Sequence, residues 1–213
     1  GRTGEYSRAP VSLRIADLDN NGGLDLFLLA STPVGSIVWL SNEQGHFFFH
    51  RDIQFGDRLF DVADVNADGR LDVLGFTTDN QAIQLINSGS KNYHWQVARP
   101  RAVAATGDQR INPFGVGGEM EIRSGLLAQK QPITGPVVHF GLGEQTSVDV
   151  IRVVWPNGSV RANFEVAADQ EIVTEQRLKG SCPFLFAFNG KQMEFVKDSV
   201  PWSSAIGLRI NTI

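Results

Sequence analysis

Nine residues, Asp17-Leu18-Asp19-Asn20-Asn21-Gly22-Gly23-Leu24-Asp25, return 47 positions later in near copy as Asp64-Val65-Asn66-Ala67-Asp68-Gly69-Arg70-Leu71-Asp72. Each copy sets oxygen-bearing side chains at its first, third, fifth and ninth positions, around a glycine, Gly22 or Gly69, that permits a sharp bend. Hard cations such as calcium take about six to eight oxygens, and loops of this spacing can wrap them. The ligands expected are Asp17, Asp19, Asn21 and Asp25 in the first loop and Asp64, Asn66, Asp68 and Asp72 in the second, with the backbone carbonyls of Gly23 and Arg70 at the seventh position. No Glu stands at the twelfth position and a strand follows in place of a helix, so Asp25 or Asp72 would take the bidentate role of an EF-hand glutamate. The plainer alternative is that Asp, Asn and Gly simply make a good turn.

The flanking residues say what these loops join. Val11-Ser12-Leu13-Arg14-Ile15-Ala16 alternates with period two, as a half-buried strand does, and 24–30 is apolar enough for a strand covered on both faces. Turn residues at 32–35 lead to a strand at 37–40, and Asn42-Glu43-Gln44-Gly45 turns into His46-Phe47-Phe48-Phe49-His50. The same order follows with strands at 59–63, 71–76 and 82–87. A repeat of about 40 to 50 residues built of short strands is the period of propeller blades. Two blades cannot close a ring, so either further blades precede Gly1 or the next domain covers the open face; the open edges could also join copies of the chain. Consecutive strand residues point to opposite faces, so at least one of Phe47, Phe48 and Phe49 must face away from the local core.

Over residues 9 to 88 the chain resembles the FG-GAP/VCBS repeat family, whose Asp-x-Asp/Asn-x-Asp/Asn-Gly-x-x-Asp motif lies between the first two strands of a blade; Phe55-Gly56-Asp57 suits that family too. The polar stretch Asn87-Ser88-Gly89-Ser90-Lys91-Asn92 marks a boundary. Strands are expected beyond it at 93–98, 119–123, 148–155, 160–166 and 171–176, with a loop at 104–113 and no long amphipathic helix. Asn92-Tyr93-His94-Trp95, Asn112-Pro113-Phe114-Gly115-Val116-Gly117-Gly118, His139-Phe140-Gly141-Leu142-Gly143 and Arg152-Val153-Val154-Trp155-Pro156-Asn157-Gly158 stand in the order of the ASPIC/UnbV domain. That domain commonly follows FG-GAP repeats, in bacterial surface or exported proteins and in cartilage acidic protein. Glu119 departs from the small or basic residue many members carry after the glycines. The organisation expected is two propeller-type blades at 1–88, an ASPIC/UnbV domain of β-sandwich type at 89–178, and a C-terminal hairpin extension at 179–213 turned by Asn189-Gly190.

With 213 residues, 42% of them hydrophobic, the chain can bury a substantial core. A net charge of −4 without Lys/Arg clusters argues against nucleic acid or an anionic membrane as partner, and no apolar run reaches the roughly 20 residues that span a bilayer. The single cysteine, Cys182, forms no intrachain disulfide. The ends at Gly1 and Ile213 read as those of a piece of a longer chain, any export signal lying upstream. With three carboxylates per loop the expected calcium affinity is that of extracellular modules, roughly 10⁻⁴ to 10⁻³ M. Two calcium ions, one per loop, would then be held outside the cytosol, at the cell surface, in the medium or in a periplasm.

Catalytic constellations are wanting: His46, His50, His94 and His139 lack ligand spacing, Cys182 lacks a base, and Glu119 and Glu121 sit at i, i+2 on the solvated face of a strand. The glycines of 115–118 lack the helix that cradles phosphate and are read as a tight bend. Trp39, Trp95, Trp155 and Trp202 are read as core residues, a sugar-stacking platform being the alternative. The reading is a non-enzymatic, calcium-stabilised binding or scaffold module for a protein or glycan partner. The competing one is an accessory or partial domain of a larger exported enzyme whose site lies upstream.

Overall fold

The computed structural model describes residues 11–30, 36–42, 44–55, 58–77, 79–89, 91–102, 111–177 and 184–198. Among them every regular element is a β-strand. The first four, β1 (Val11–Ala16), β2 (Asp25–Ala30), β3 (Ser36–Ser41) and β4 (Phe47–Phe55), form an antiparallel meander in the order β1-β2-β3-β4. The next three, β5 (Arg58–Ala63), β6 (Asp72–Phe76) and β7 (Ala82–Leu85), form a second meander in chain order. The repeated loops join corresponding strands, and the closing pairs, Ala16 opposite Asp25 and Ala63 opposite Asp72, occupy the same place in each. Leu18, Phe27 and Val38 of the first meander and Leu59 and Leu71 of the second form one buried cluster. Each meander therefore hides an apolar face against the other, the burial that neither could achieve alone.

Seven strands follow: β8 (His94–Ala102), β9 (Glu119–Ser124), β10 (Leu127–Pro132), β11 (Val138–Gly143), β12 (Ser147–Val154), β13 (Val160–Ala167) and β14 (Gln170–Gln176). They make two sheets, β10-β9-β12-β13 and β11-β8-β14, with β14 parallel to β8 and the other pairs antiparallel. Met120 and Ile122 of β9, Ile151 and Val153 of β12, Phe140 and Leu142 of β11 and Ala98 of β8 all belong to one buried core, which both sheets therefore share. On β9 the outward residues are Glu119, Glu121 and Arg123, with Glu121 hydrogen-bonded by Arg123 and Arg152. This is the solvated strand face expected from the alternation. The glycine-rich bend also takes the expected form: Gly115 and Gly117 have φ of 67° and 94°, and the Gly117 N–H donates to the Ile133 carbonyl at 3.0 Å. Gly115 lies on the Trp155 ring, where an added Cβ would stand 2.9 Å from it.

The chain divides into two compact units, the second beginning at Arg177. Both meanders and the seven-stranded part share the first unit. In the second, β15 (Phe184–Phe188) and β16 (Met193–Asp198) pair as a hairpin about Asn189-Gly190, whose glycine has φ of 94°.

The sheets described close into neither a barrel nor a propeller. Several local expectations are revised. β10 and β11 carry no alternation strong enough to announce a strand: on β10 only Gln129 is buried, and β11 reads His-Phe-Gly-Leu-Gly. On β1 the apolar residues Leu13 and Ile15 are 50% and 56% exposed, so the period-two pattern marks a face that the fold leaves uncovered. Phe47, Phe48 and Phe49 are all about half exposed, at 50%, 59% and 48%, because β4 has only β3 beside it among the described residues. Residues 31–35, 56–57, 103–110, Cys182 and Trp202, on which some of the sequence readings fall, lie outside the described residues.

Candidate functional site

The two loops are built by one hydrogen-bond scheme. The ninth-position carboxylate staples the loop shut: Asp25 accepts from the N–H groups of Leu18 (2.7 Å) and Ser41 (2.7 Å), and Asp72 accepts from those of Val65 (3.1 Å) and Asn87 (2.8 Å). The first-position carboxylate receives the N–H of the bend glycine, Gly22 to Asp17 at 2.8 Å and Gly69 to Asp64 at 2.9 Å. Both fourth residues, Asn20 and Ala67, take φ of 59°, and the glycines Gly22 and Gly69 take 93° and 80°. Left-handed backbone at two of the six bend positions turns successive side chains inward, which is why the sequence needs glycine there.

Loop 1 gathers charge. Carboxylate oxygens of Asp17, Asp19 and Asp25 all lie within 4.8 Å of one another, an arrangement that could hold a metal ion. Asp17 and Asp25 are fully buried, and the Oδ1 of Asp17 has no hydrogen-bond partner. Burial pushes Asp17 well above the usual carboxylate range, and the neighbouring Asp25 charge adds to the shift against the Gly22 hydrogen bond. Asp25 is pushed up to about 6, again by burial, with the Ser41 and Leu18 N–H groups working the other way. Asp19 is raised for the same reason. Asn21 turns its oxygen to the Gly23 N–H at 2.6 Å and its amide to the Ser41 carbonyl at 2.6 Å.

Loop 2 keeps the scheme without the convergence. Asp64 Oδ1 accepts from the Asp68 N–H at 3.2 Å, Asn66 lies exposed against Asp68, and Asp68 pairs with Arg70 Nη1 at 3.6 Å. Among the described residues, the carboxylates that cluster at ligand distance are those of loop 1.

Part of the difference is local, since Asn66 stands in loop 2 where loop 1 has Asp19; loop 1 is also held by residues more than a hundred positions away. The two N–H groups of the Gln129 amide, from the middle of β10, donate to the Gly22 carbonyl (2.7 Å) and the Gly141 carbonyl (3.0 Å), and one of them is shared with Asp17 Oδ2 at 3.4 Å. Gly141 of β11 lies so close to loop 1 that an added Cβ would collide with Asp17 Oδ2 and the Asn20 backbone, and the Gly143 N–H donates to the Asn20 carbonyl at 2.8 Å. The Gly69 carbonyl of loop 2 accepts from Asn20 Nδ2 (2.8 Å) and His139 Nε2 (3.0 Å), and Asn87 Nδ2 bridges the carbonyls of Leu18 (2.8 Å) and Leu71 (3.2 Å). Burial lowers the His139 pKa against that carbonyl bond, which favours the neutral ring with its proton on Nε2. Trp95 packs its indole edge on Gly69. None of Gln129, Asn20, His139 and Asn87 was a candidate on sequence grounds. The one available signal was a polar Gln at the single inward position of β10.

Beside this junction runs a cleft of about 1060 Å³, with Leu13, Ile15, Val62, Trp95 and Val138 among its apolar walls. Two ion pairs border it, Arg14 with Asp61 at 3.0 Å and Arg99 with Glu171 through two bonds of 2.6 Å. Of the histidines, His46 is exposed and His94 bonds Asp169 at 2.6 Å through Nδ1.

Residues 108–180 match the family model described as ASPIC and UnbV. The matched stretch carries β9 to β14, while β8, which supplies the middle strand of the second sheet, lies upstream of it. It also leaves out both loops, so the match speaks for the later sheets and not for the repeats. No curated protein matches the chain.

Proposed function

We propose that this chain is a non-enzymatic, calcium-stabilised binding or scaffold module of an exported protein. The observation that carries the reading is the buried meeting of Asp17, Asp19 and Asp25 with one Asp17 oxygen left unpartnered. Two buried carboxylates beside a partly buried third, with the Lys91 charge acting on the third, are unfavourable, and a hard divalent cation with oxygen preference fits this donor set. Asp17, Asp19 and Asp25 would hold it in loop 1, with the Gly23 carbonyl and Asn21 as further oxygens; Asp64, Asn66, Asp68, Arg70 and Asp72 would supply a second, weaker site. The cation's contribution is charge neutralisation that locks the loop. Affinities of this class suit an extracellular or periplasmic calcium level. The two meanders fit FG-GAP/VCBS blades, and the half-open cleft beside them offers apolar walls and charged rims to a protein or glycan partner. Open edges at β1 and β4 further fit association between copies.

Calcium titration by calorimetry, with melting temperature compared in calcium and in chelator, tests the metal. Heat of binding and a higher melting temperature in calcium are expected; no heat and no shift would remove it. A glycan array and a hydrolase panel address the partner, and turnover would sink the non-enzymatic reading.

A further inference from the structure

We infer that loop 1 is the dominant cation site of this chain and that Gln129, a residue of the ASPIC/UnbV-matched part, is its positioning residue, so that cation binding and docking of that part on the repeats are one coupled event. The inference rests on the calcium reading above and goes beyond it, since by sequence the two loops carry the same number of ligand carboxylates. Each has three carboxylates, a bend glycine and the same staple, with the third-position Asp19 of loop 1 replaced by Asn66 and its fifth-position Asn21 by Asp68. Gln129, 5% exposed, adds a further difference: it reaches the first-position carboxylate of loop 1, whereas the bond the later sheets make to loop 2, from His139, goes to the Gly69 carbonyl.

Its effect follows from the bonding at Asp17. A carboxylate oxygen has two acceptor directions, and Asp17 Oδ2 spends them on the Gly22 N–H and the Gln129 amide. This fixes the carboxylate plane and leaves Oδ1 unpartnered, in a residue with no solvent exposure, beside Asp19 and Asp25. In loop 2 the corresponding oxygen, Asp64 Oδ1, is already bonded to the Asp68 N–H. A cation at loop 2 meets an oxygen with one acceptor direction already taken, whereas the Asp17 oxygen of loop 1 offers both. The same Gln129 amide holds the carbonyls of Gly22 and Gly141, tying the bend of loop 1 to β11. A cation that orders loop 1 therefore orders the surface on which β10 and β11 sit, and by linkage those strands raise the affinity of loop 1.

The full chain tests this through calcium calorimetry on two backgrounds, Asp64→Asn, which isolates loop 1, and Asp17→Asn, which isolates loop 2. Loop 1 is expected to bind more tightly than loop 2. Gln129→Met keeps the side-chain length and removes the donor, and is expected to weaken calcium by about ten- to hundredfold on the Asp64→Asn background, the range found when a partner that orients a metal ligand is lost. On the Asp17→Asn background it is expected to change nothing. Lys130→Ala, which loses the ion pair with Glu119 on the exposed side of β10, is the control for general weakening of β10 and is expected to keep loop 1 affinity. Equal weakening on both backgrounds, or no weakening on either, overturns the coupling while leaving the metal reading intact. No heat from the unmodified chain overturns both.

Discussion

Asp25 and Asp72 use both carboxylate oxygens on backbone N–H groups, whereas Asp17 keeps one oxygen free. Their substitutions should therefore behave differently. Asp72→Ala strands two N–H donors and is expected to cost about 3 kcal/mol by urea denaturation in chelator, and more in calcium, where a ligand of loop 2 is lost as well. Asp17→Asn removes a buried charge and is expected to raise the melting temperature in chelator while abolishing the increment from calcium at loop 1. The pH dependence has a definite sign. Burial lifts Asp25 from 3.8 to about 6, so the folded chain holds this proton more tightly than the unfolded one. Its stabilising contribution is complete below about pH 4 and is lost as pH rises through about 6, a swing of roughly 3 kcal/mol. In chelator, melting temperature should fall between about pH 4 and about pH 6; a flat profile would contradict the burial argument. Calcium replaces the proton and should flatten the fall.

At the scale of an element, each loop depends on a bend that only glycine adopts cheaply, and the neighbours decide what a side chain there would cost. Gly69 has φ of 80° and lies against the Trp95 indole, while Gly45 has φ of 75° and open space around it. Gly69→Ala is expected to destabilise by about 3 kcal/mol, the sum of left-handed strain and overpacking, and Gly45→Ala by about 1 kcal/mol. Denaturant midpoints for the pair separate backbone strain from contact; equal losses would mean that Trp95 yields freely. Gly141 extends the argument to β11, where the missing Cβ is what lets the strand touch the Asp17 carboxylate.

For the whole molecule, the meanders are joined to one another by a shared apolar cluster and to the later sheets by a polar junction of loop carbonyls, Asn20, Gln129 and His139. Apolar residues remain on the outside at strands with one neighbour among the described residues, Leu13 and Ile15 on β1 and Phe47 to Phe49 on β4. Edges of this kind pair with other chains unless charge blocks them. Light scattering is expected to show mass rising with concentration above the 23.3 kDa of one chain, and Leu13→Lys with Phe48→Lys to return it to that value. A monomer at every concentration would remove the self-association proposal.

The repeat at 47 residues, the loop oxygens, the bend glycines and most strands were legible in the sequence because all are local: period-two burial, left-handed backbone and short-range Asx bonding depend on neighbours a few positions apart. The all-β character followed from the same patterns. The strands β10 and β11 were not legible, since a single inward Gln and a Gly-rich run take their conformation from the sheets around them. The difference between the loops was legible only in part, as Asp19 and Asn21 against Asn66 and Asp68. Asp17 and Asp64 are alike in sequence, and only the folded chain brings Gln129 to one of them across 112 positions, because a hydrogen bond at that separation exists only after the apolar cores of both parts have formed.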